Sequence, residues 1–464
     1  MFAVAGVAAA ARLWLLLARP LWHDELFTLW AARLSLPALI DALRRDSGPP
    51  LFYLLEKPVV WLAETLRLSD TLARVPSWIA AAAVGACAMS LPPGPSRRRF
   101  ALLCAAAPLL LLYGAEARAY ALLALLDLVV FLLLLRGTET SARLAIGGAA
   151  AAAALATHSL AIVFLGAAVV VALARRRWRS AAALGAAGAL FAPWVPVLLR
   201  QPPEATAWIR ESPLVSAGGF LSALGGAGRL PPNFGTALPW PIVFAGALAA
   251  AAAAAFTLSS GEPDARAAAG AALLTLAGVA ALSFVRPAAF AGRTEMAVLA
   301  VWLWAVAAAG VRSRPARRCA VAVLAVSAIS TALVLSTAPP RSPYADAVAA
   351  LAPGLRQGDG VVAGAGFYLP ARLSADRGNL PGALAGYPSE MALHPGWFTP
   401  RAPTDADVAA LERTISQTPP GRRTYLLLHP YQESPGLARM LAAHGTARVV
   451  ARMPEALLIL FVTR

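Results

Sequence analysis

Acidic side chains are scarce in this sequence, with 24 Asp and Glu among 464 residues against 40 Lys and Arg. Two of them, Asp24 and Glu25, stand side by side in LWHDELFTLW, where the first apolar stretch gives way to polar residues. A carboxylate at such a boundary can take a proton from an attacking hydroxyl or amine. A solvated helix end accounts for the pair equally well from position alone. Further polar groups recur at separate apolar boundaries: Asp46 before GPPLFYLLEK, Glu116 and Arg118 in GAEARAY, His158 in ATHSLA and Arg293 in AFAGR. Arginine pairs bidentately with phosphate and carboxylates accept protons, so this set suits chemistry on an anionic lipid headgroup.

Other residues fit the same site or a plainer role. Lys57 is the only lysine in the chain and lies where a phosphate headgroup would meet an interfacial helix, or where a surface anchor would stand. His23 can orient Asp24 or simply be solvated. Glu116 is a second acidic group or an ion-pair partner of Arg118. Tyr113 and Tyr120 flank the GAEARAY turn and can stack on a sugar, although aromatic residues also gather at membrane boundaries. His158 has no partner spacing that makes a metal ligand. Cys87, Cys104 and Cys319 fall in or beside apolar stretches as small hydrophobes, with no disulfide or zinc pattern.

The elements that must position these groups are membrane helices. A content of 59% hydrophobic and 14% charged residues is too apolar for an ordinary soluble domain. The net charge of +16 does not indicate nucleic acid, because the arginines lie between apolar segments, as the positive-inside rule requires. The clusters at 97–99, 136–143, 175–179 and 312–318 mark one side, and a span takes about 20 apolar residues. Counting crossings between them gives about eleven transmembrane helices with a cytoplasmic N-terminus. The first apolar stretch then reads as a membrane helix, since no positive region precedes it as in a signal peptide.

This count puts residues 115–119 and His158 on the outer side and leaves a long first outer loop, 21–71. Within the loop, LFYLLEKPVVWLAETLRL carries Glu56, Lys57, Pro58 and Glu64 and reads as an interfacial helix with Tyr53 and Trp61 at headgroup depth. A Pro-rich outer loop is expected over about 200–238. From 338 onward Pro, Gly and charge rise, and short runs at 361–363, 425–428 and 456–462 read as strands between helical segments at 344–351 and 405–414. The fold expected is therefore an α-helical polytopic membrane module, 1–337, followed by a small extracytoplasmic α/β domain, 338–464.

Six stretches carry a resemblance: LWHDELFTLW, DSGPPLFYLLEKPVVWL, LARVPSWIAAAAVGAC, EARAYALLALL, ATHSLAIVFL and FAGRTEMAVLAVWLWAVAAAG. In this order, over roughly residues 5–310, the sequence resembles the GT-C superfamily of membrane glycosyltransferases, in the branch of protein O-mannosyltransferases and the lipid A aminoarabinose transferase. The resemblance implies that Asp24 is the catalytic base of the first outer loop, with Glu25 supporting it. It implies a polyprenyl-phosphate sugar as donor and inversion at the anomeric carbon. A departing lipid phosphate needs cations, for which Arg118, Arg293 and Lys57 are the candidates. His23, Asp46, Glu116, Tyr120 and His158 would line the site. Thr294 stands after Arg293 where relatives carry a tyrosine.

The function expected is transfer of a sugar from a polyprenyl-phosphate carrier to a glycan, lipid or protein acceptor on the outer side of the membrane. The partners are the donor, that acceptor and membrane lipids, with no nucleic acid; a divalent metal is an open expectation. Arginine and alanine bias places the chain in a bacterial inner membrane. Two other classes remain: a transporter of lipid-linked glycans, disfavoured by the lack of repeated halves, and a non-catalytic cell-envelope assembly factor, which would not need Asp24.

Overall fold

The structure is a computed structural model. It describes residues 10–464 apart from 12, 16, 47, 203, 208, 210–211, 229–237, 312, 338–342, 352–353, 381, 393, 395–401 and 454–455. The first apolar stretch, expected as the first membrane helix, thus lies partly outside the described residues. By internal contacts the chain divides into two compact units, Met1–Arg19 with Ser47–Pro340, and Pro20–Asp46 with Arg341–Arg464.

The first unit is helical. Five of its described helices are long and apolar enough to cross a membrane: Asp70–Ser90, Trp178–Arg200, Trp240–Leu258, Pro263–Leu282 and Arg314–Ser336. Shorter apolar helices accompany them, including Tyr120–Leu135, Ser141–Thr157, Leu160–Ala174 and Leu299–Ala309. Every residue of Leu299–Ala309 is buried, with Trp302 and Trp304 completely enclosed and their indole Nε1–H groups bonded to the Leu224 carbonyl (2.8 Å) and Ser90 Oγ (3.0 Å).

The arginine clusters do more than mark a side. Phe131–Leu135 closes as a π-helical turn, a geometry that displaces carbonyls from the α-helical ladder. Arginines from the next helices take them up: Arg175 bonds the Leu135 carbonyl (2.7 Å), Arg177 that of Leu134 (2.8 Å), and Arg143 that of Leu132. A carbonyl left unpaired in hydrocarbon costs several kcal/mol.

Two expectations are corrected here. The 200–238 stretch is not simply a Pro-rich loop, because Pro213–Leu224 is a helix with Phe220, Ala223 and Leu224 buried. It packs on Trp240–Leu258 so closely that a Cβ on Gly225 would lie 1.8 Å from the Gly246 carbonyl oxygen. Small residues permit this approach, and the prolines around it hide it from a composition reading. On the helix Leu51–Thr65, Trp61 is exposed, whereas Tyr53, expected at headgroup depth, is buried edge-on to Phe52 (6.4 Å).

The second unit holds a five-stranded sheet in the order β2-β1-β3-β5-β4, with β1 Gly360–Gly364, β2 Ala383–Tyr387, β3 Arg423–Leu428, β4 Gly445–Arg452 and β5 Leu457–Thr463. Strand β1 runs parallel to β2 and β3, while β5 is antiparallel to β3 and to β4. Alternation sends Val362, Leu426 and Leu428 into one core with Leu411, Ile415 and Leu441, and Ala363 and Leu427 into another with Val348, Phe367 and Ala371. Helices therefore cover both faces of the sheet. Arg423 ties β3 to the turn before β1 through a bidentate pair with Asp359 (3.1 and 2.5 Å). Residues 20–46 group with this unit rather than with the rest of the expected 21–71 loop. The helix His23–Arg33 packs on the helix Tyr368–Asp376, and Phe27 lies 5.4 Å from the His394 ring.

Candidate active site

In the second unit, the helix His23–Arg33 begins with His23, Asp24 and Glu25 in its first turn, where the helix N-terminus favours negative charge. The two carboxylates are not equivalent. Glu25 is fully buried and accepts a hydrogen bond from the Trp22 backbone N–H (3.3 Å), so it fixes the start of its own helix. Asp24 is half-buried, and its backbone carbonyl accepts from the Thr28 hydroxyl (3.1 Å). His394, buried beside Phe27, has Asp46, Arg45 and His23 within electrostatic reach. The structure thus brings His23 and Asp46 into one neighbourhood around a histidine that the sequence did not single out. Burial holds the His394 ring below the ordinary histidine range, with Asp46 working in the opposite sense.

In the first unit, two of the three candidate cations, Arg118 and Arg293, gather at helix ends opposite the arginine clusters, while Lys57 lies on the helix Leu51–Thr65. The turn between Pro108–Tyr113 and Tyr120–Val130 carries Glu116 and Arg118, and the Ser77 hydroxyl holds it by donating to the Arg118 carbonyl (2.9 Å). The Arg118 guanidinium lies over the Tyr120 ring (5.8 Å); Tyr120 in turn packs on Tyr113 (4.6 Å) and His158 (5.1 Å). Arg118 and Arg293 both act electrostatically on the His158 ring, and Arg293 also acts on Tyr113. Arg118, Arg293, His158, Tyr113 and Tyr120 therefore form one cluster.

The Arg293 turn is braced from three directions. Gly292, in the left-handed region (φ 94°), donates its N–H to both oxygens of Glu295 (3.0 and 2.9 Å). The Tyr113 hydroxyl donates to the Gly292 carbonyl (2.7 Å), and the Phe290 N–H donates to Thr294 Oγ1 (3.0 Å). Thr294 thus has a local role in closing this turn.

Some contributors were not anticipated from sequence. Glu116 pairs with Arg19 (3.7 Å), both buried, and the Arg19 carbonyl accepts from the fully buried Arg74 (2.9 Å). Arg19 and Arg74 lie away from the four arginine clusters, and that displacement was the available signal. Glu56 is fully buried and Lys57 half-buried on the helix Leu51–Thr65. Among the described residues, no three His, Cys, Asp or Glu side chains stand together as a metal-binding group.

Two arginines with aromatic rings and a histidine can hold a phosphate and stack on a ring-shaped headgroup. Comparison with solved structures adds the fold. ArnT from Cupriavidus metallidurans bound to undecaprenyl phosphate superposes with a TM-score of 0.61 over 99% of this chain and 97% of that one, at 15% identity. Its apo state gives 0.54 at 18% identity over the same shares. The archaeal oligosaccharyltransferase AglB from Archaeoglobus fulgidus, in complex with an inhibitory peptide and a dolichol-phosphate, gives 0.50 at 11% identity over 98% and 73%. No protein-family profile matches the sequence, and no curated protein is similar to it in sequence. The chain therefore shares its overall fold with ArnT and AglB.

Proposed function

We propose that the protein is an inverting glycosyltransferase that moves a sugar from a polyprenyl-phosphate carrier to an acceptor on the outer side of a bacterial inner membrane. The observation that carries this reading is the cluster of Arg118, Arg293, His158, Tyr113 and Tyr120 in a chain whose fold is that of ArnT, solved with undecaprenyl phosphate.

In this reading the acceptor hydroxyl or amine attacks the anomeric carbon and its proton passes to the Asp24 carboxylate. The bond between that carbon and the phosphate oxygen breaks, and polyprenyl phosphate leaves with the electron pair. Arg118 and Arg293 stabilise the charge that develops on the phosphate, an effect worth several kcal/mol in a site with little water. Glu25 supports the base by setting the helix start that presents Asp24. Lys57 and Asp46 serve the headgroup and the acceptor.

The test incubates the purified protein in lipid with radiolabelled polyprenyl-phosphate sugars and membrane extract, comparing the parent with Asp24→Asn. Release of label from the carrier by the parent and not by the variant supports the reading. Intact carrier in both, across donors of several sugars, would replace it with a transporter or an assembly factor.

A further inference from the structure

The arginines at the clustered ends of the membrane helices fall into two groups with different surroundings. In the first, Arg136 and Arg175 share Asp264 (3.5 and 2.8 Å), and the Glu139 carboxylate acts on Arg177. In the second, Arg97, Arg98 and Arg99 lie in the first turns of the helix Pro95–Ala106, and Arg314, Arg317 and Arg318 open the helix Arg314–Ser336. These two helices pack on each other and on Leu299–Ala309.

The second group converges on one turn. Arg99 donates to the Ala307 carbonyl from Nε (3.4 Å) and Nη2 (3.1 Å), with its guanidinium against Gly310, and Arg317 Nε donates to the Gly310 carbonyl (3.4 Å). The two cations bracket that turn, and among the described residues the charge acting on Arg99 is that of Arg317 and not of a carboxylate. Neither 92–106 nor 310–337 contains an acidic residue. Arg98, Arg314, Arg317 and Arg318 are exposed. Like charges gathered without a counterion repel, and a bound anion relieves that repulsion.

We infer that this group is a binding site for the headgroup of an anionic phospholipid in the cytoplasmic leaflet. Basic pockets between membrane helices on that side suit such headgroups, and the positive-inside rule gives the side. A lipid fits better than a soluble anion because apolar side chains follow the arginines on the same helix. Val321 and Ile329 are exposed on Arg314–Ser336, where acyl chains of a lipid held by its phosphate would lie.

The test places the full chain in vesicles of mixed phosphatidylcholine and phosphatidylglycerol and measures retained lipid by native mass spectrometry after extraction. The parent should retain phosphatidylglycerol preferentially. Arg98→Gln/Arg314→Gln/Arg318→Gln should weaken retention on the order of a hundredfold, since each arginine near an anionic surface contributes about fivefold. Arg98→Gln alone, about fivefold weaker, covers the case in which the triple variant does not fold. A control triple at exposed arginines in the 175–179 cluster and beside Asp264 in sequence, Arg176→Gln/Arg179→Gln/Arg266→Gln, should change retention by less than about fivefold. Equal retention of the two lipids by the parent, an equal loss in the control, or displacement of the lipid by inorganic phosphate would each overturn the site.

Discussion

The Tyr113 hydroxyl donates to the Gly292 carbonyl at 2.7 Å, joining two turns that lie 179 residues apart in sequence. One turn carries Arg118 and the other Arg293, so this single bond helps to set the spacing of two guanidinium groups. Tyr113→Phe keeps the ring packing on Tyr120 and removes the donor. The buried carbonyl then loses its partner, at about 1–3 kcal/mol of stability. If the cluster holds the donor phosphate, KM for the polyprenyl-phosphate sugar should rise more than kcat falls. Steady-state kinetics beside a thermal melt separates that outcome from plain destabilisation, which would lower activity without a KM change.

The carboxylates of the first turn should respond differently to neutralisation. Asp24→Asn should reduce transfer by at least 10²- to 10⁴-fold, the range expected for loss of a general base, and leave carrier binding intact. Glu25→Gln keeps an oxygen for the Trp22 N–H and should retain most activity. Glu25→Ala loses the cap at about 1 kcal/mol and should lower activity through the seating of the helix. Transfer assays with carrier-binding measurements on the three variants distinguish these roles, and a fully active Asp24→Asn would remove the residue from the mechanism.

His394 predicts a pH dependence for the second unit. Burial holds its folded pKa below the ordinary 6.5, although Asp46 acts the other way and Arg45 and His23 reinforce the lowering. The unfolded histidine therefore takes up a proton first as pH falls through about 6.5. Stability from the neutral ring is complete above that point and is lost progressively down to the folded value. Thermal melts between pH 8 and 5 should show the parent losing stability over this window more steeply than His394→Gln. Parallel curves would assign the loss to other groups.

Close helix contact at Gly225 and Gly246 leaves no room for side chains. A Cβ on Gly246 would come within 2.7 Å of the Ala227 Cβ and 2.9 Å of the Ser222 carbonyl. Gly246→Leu should separate the helices Pro213–Leu224 and Trp240–Leu258 at about 1–3 kcal/mol or more. Gly185→Leu, where nothing lies within 4 Å of the added Cβ, is the matched control. Thermal stability in detergent should fall for the first and hold for the second.

The membrane helices were legible because two strong signals coincide, long apolar runs and arginines at one end of them. The turns at 114–119 and 158–159 followed from polar breaks inside such runs, and β1, β3 and β5 from short apolar segments bounded by turn residues. The packed helix Pro213–Leu224 was obscured because its partners lie on later helices. Strand β2, ALAGY, is short and poor in branched residues, and β4, GTARVVAR, is an edge strand with little alternation. Arg19 and Arg74 could be suspected only from their place outside the four arginine clusters, since their relation to Glu116 is made by the fold. The grouping of residues 20–46 with 341–464 has no local signature at all.

That last grouping bears on the order in which the protein becomes competent during synthesis. The helix with Asp24 is made among the first residues, yet the helix it packs on, Tyr368–Asp376, and the ring beside Phe27, His394, are made after the whole membrane module. A nascent chain can insert its helices and present its arginines while the segment 20–46 still waits for its packing partner. The carboxylate is set in its framework only when the ribosome has nearly finished. If Asp24 is the base, an incomplete chain would thus remain inert, and a truncation before residue 341 should yield a product whose helix His23–Arg33 is readily cut by protease.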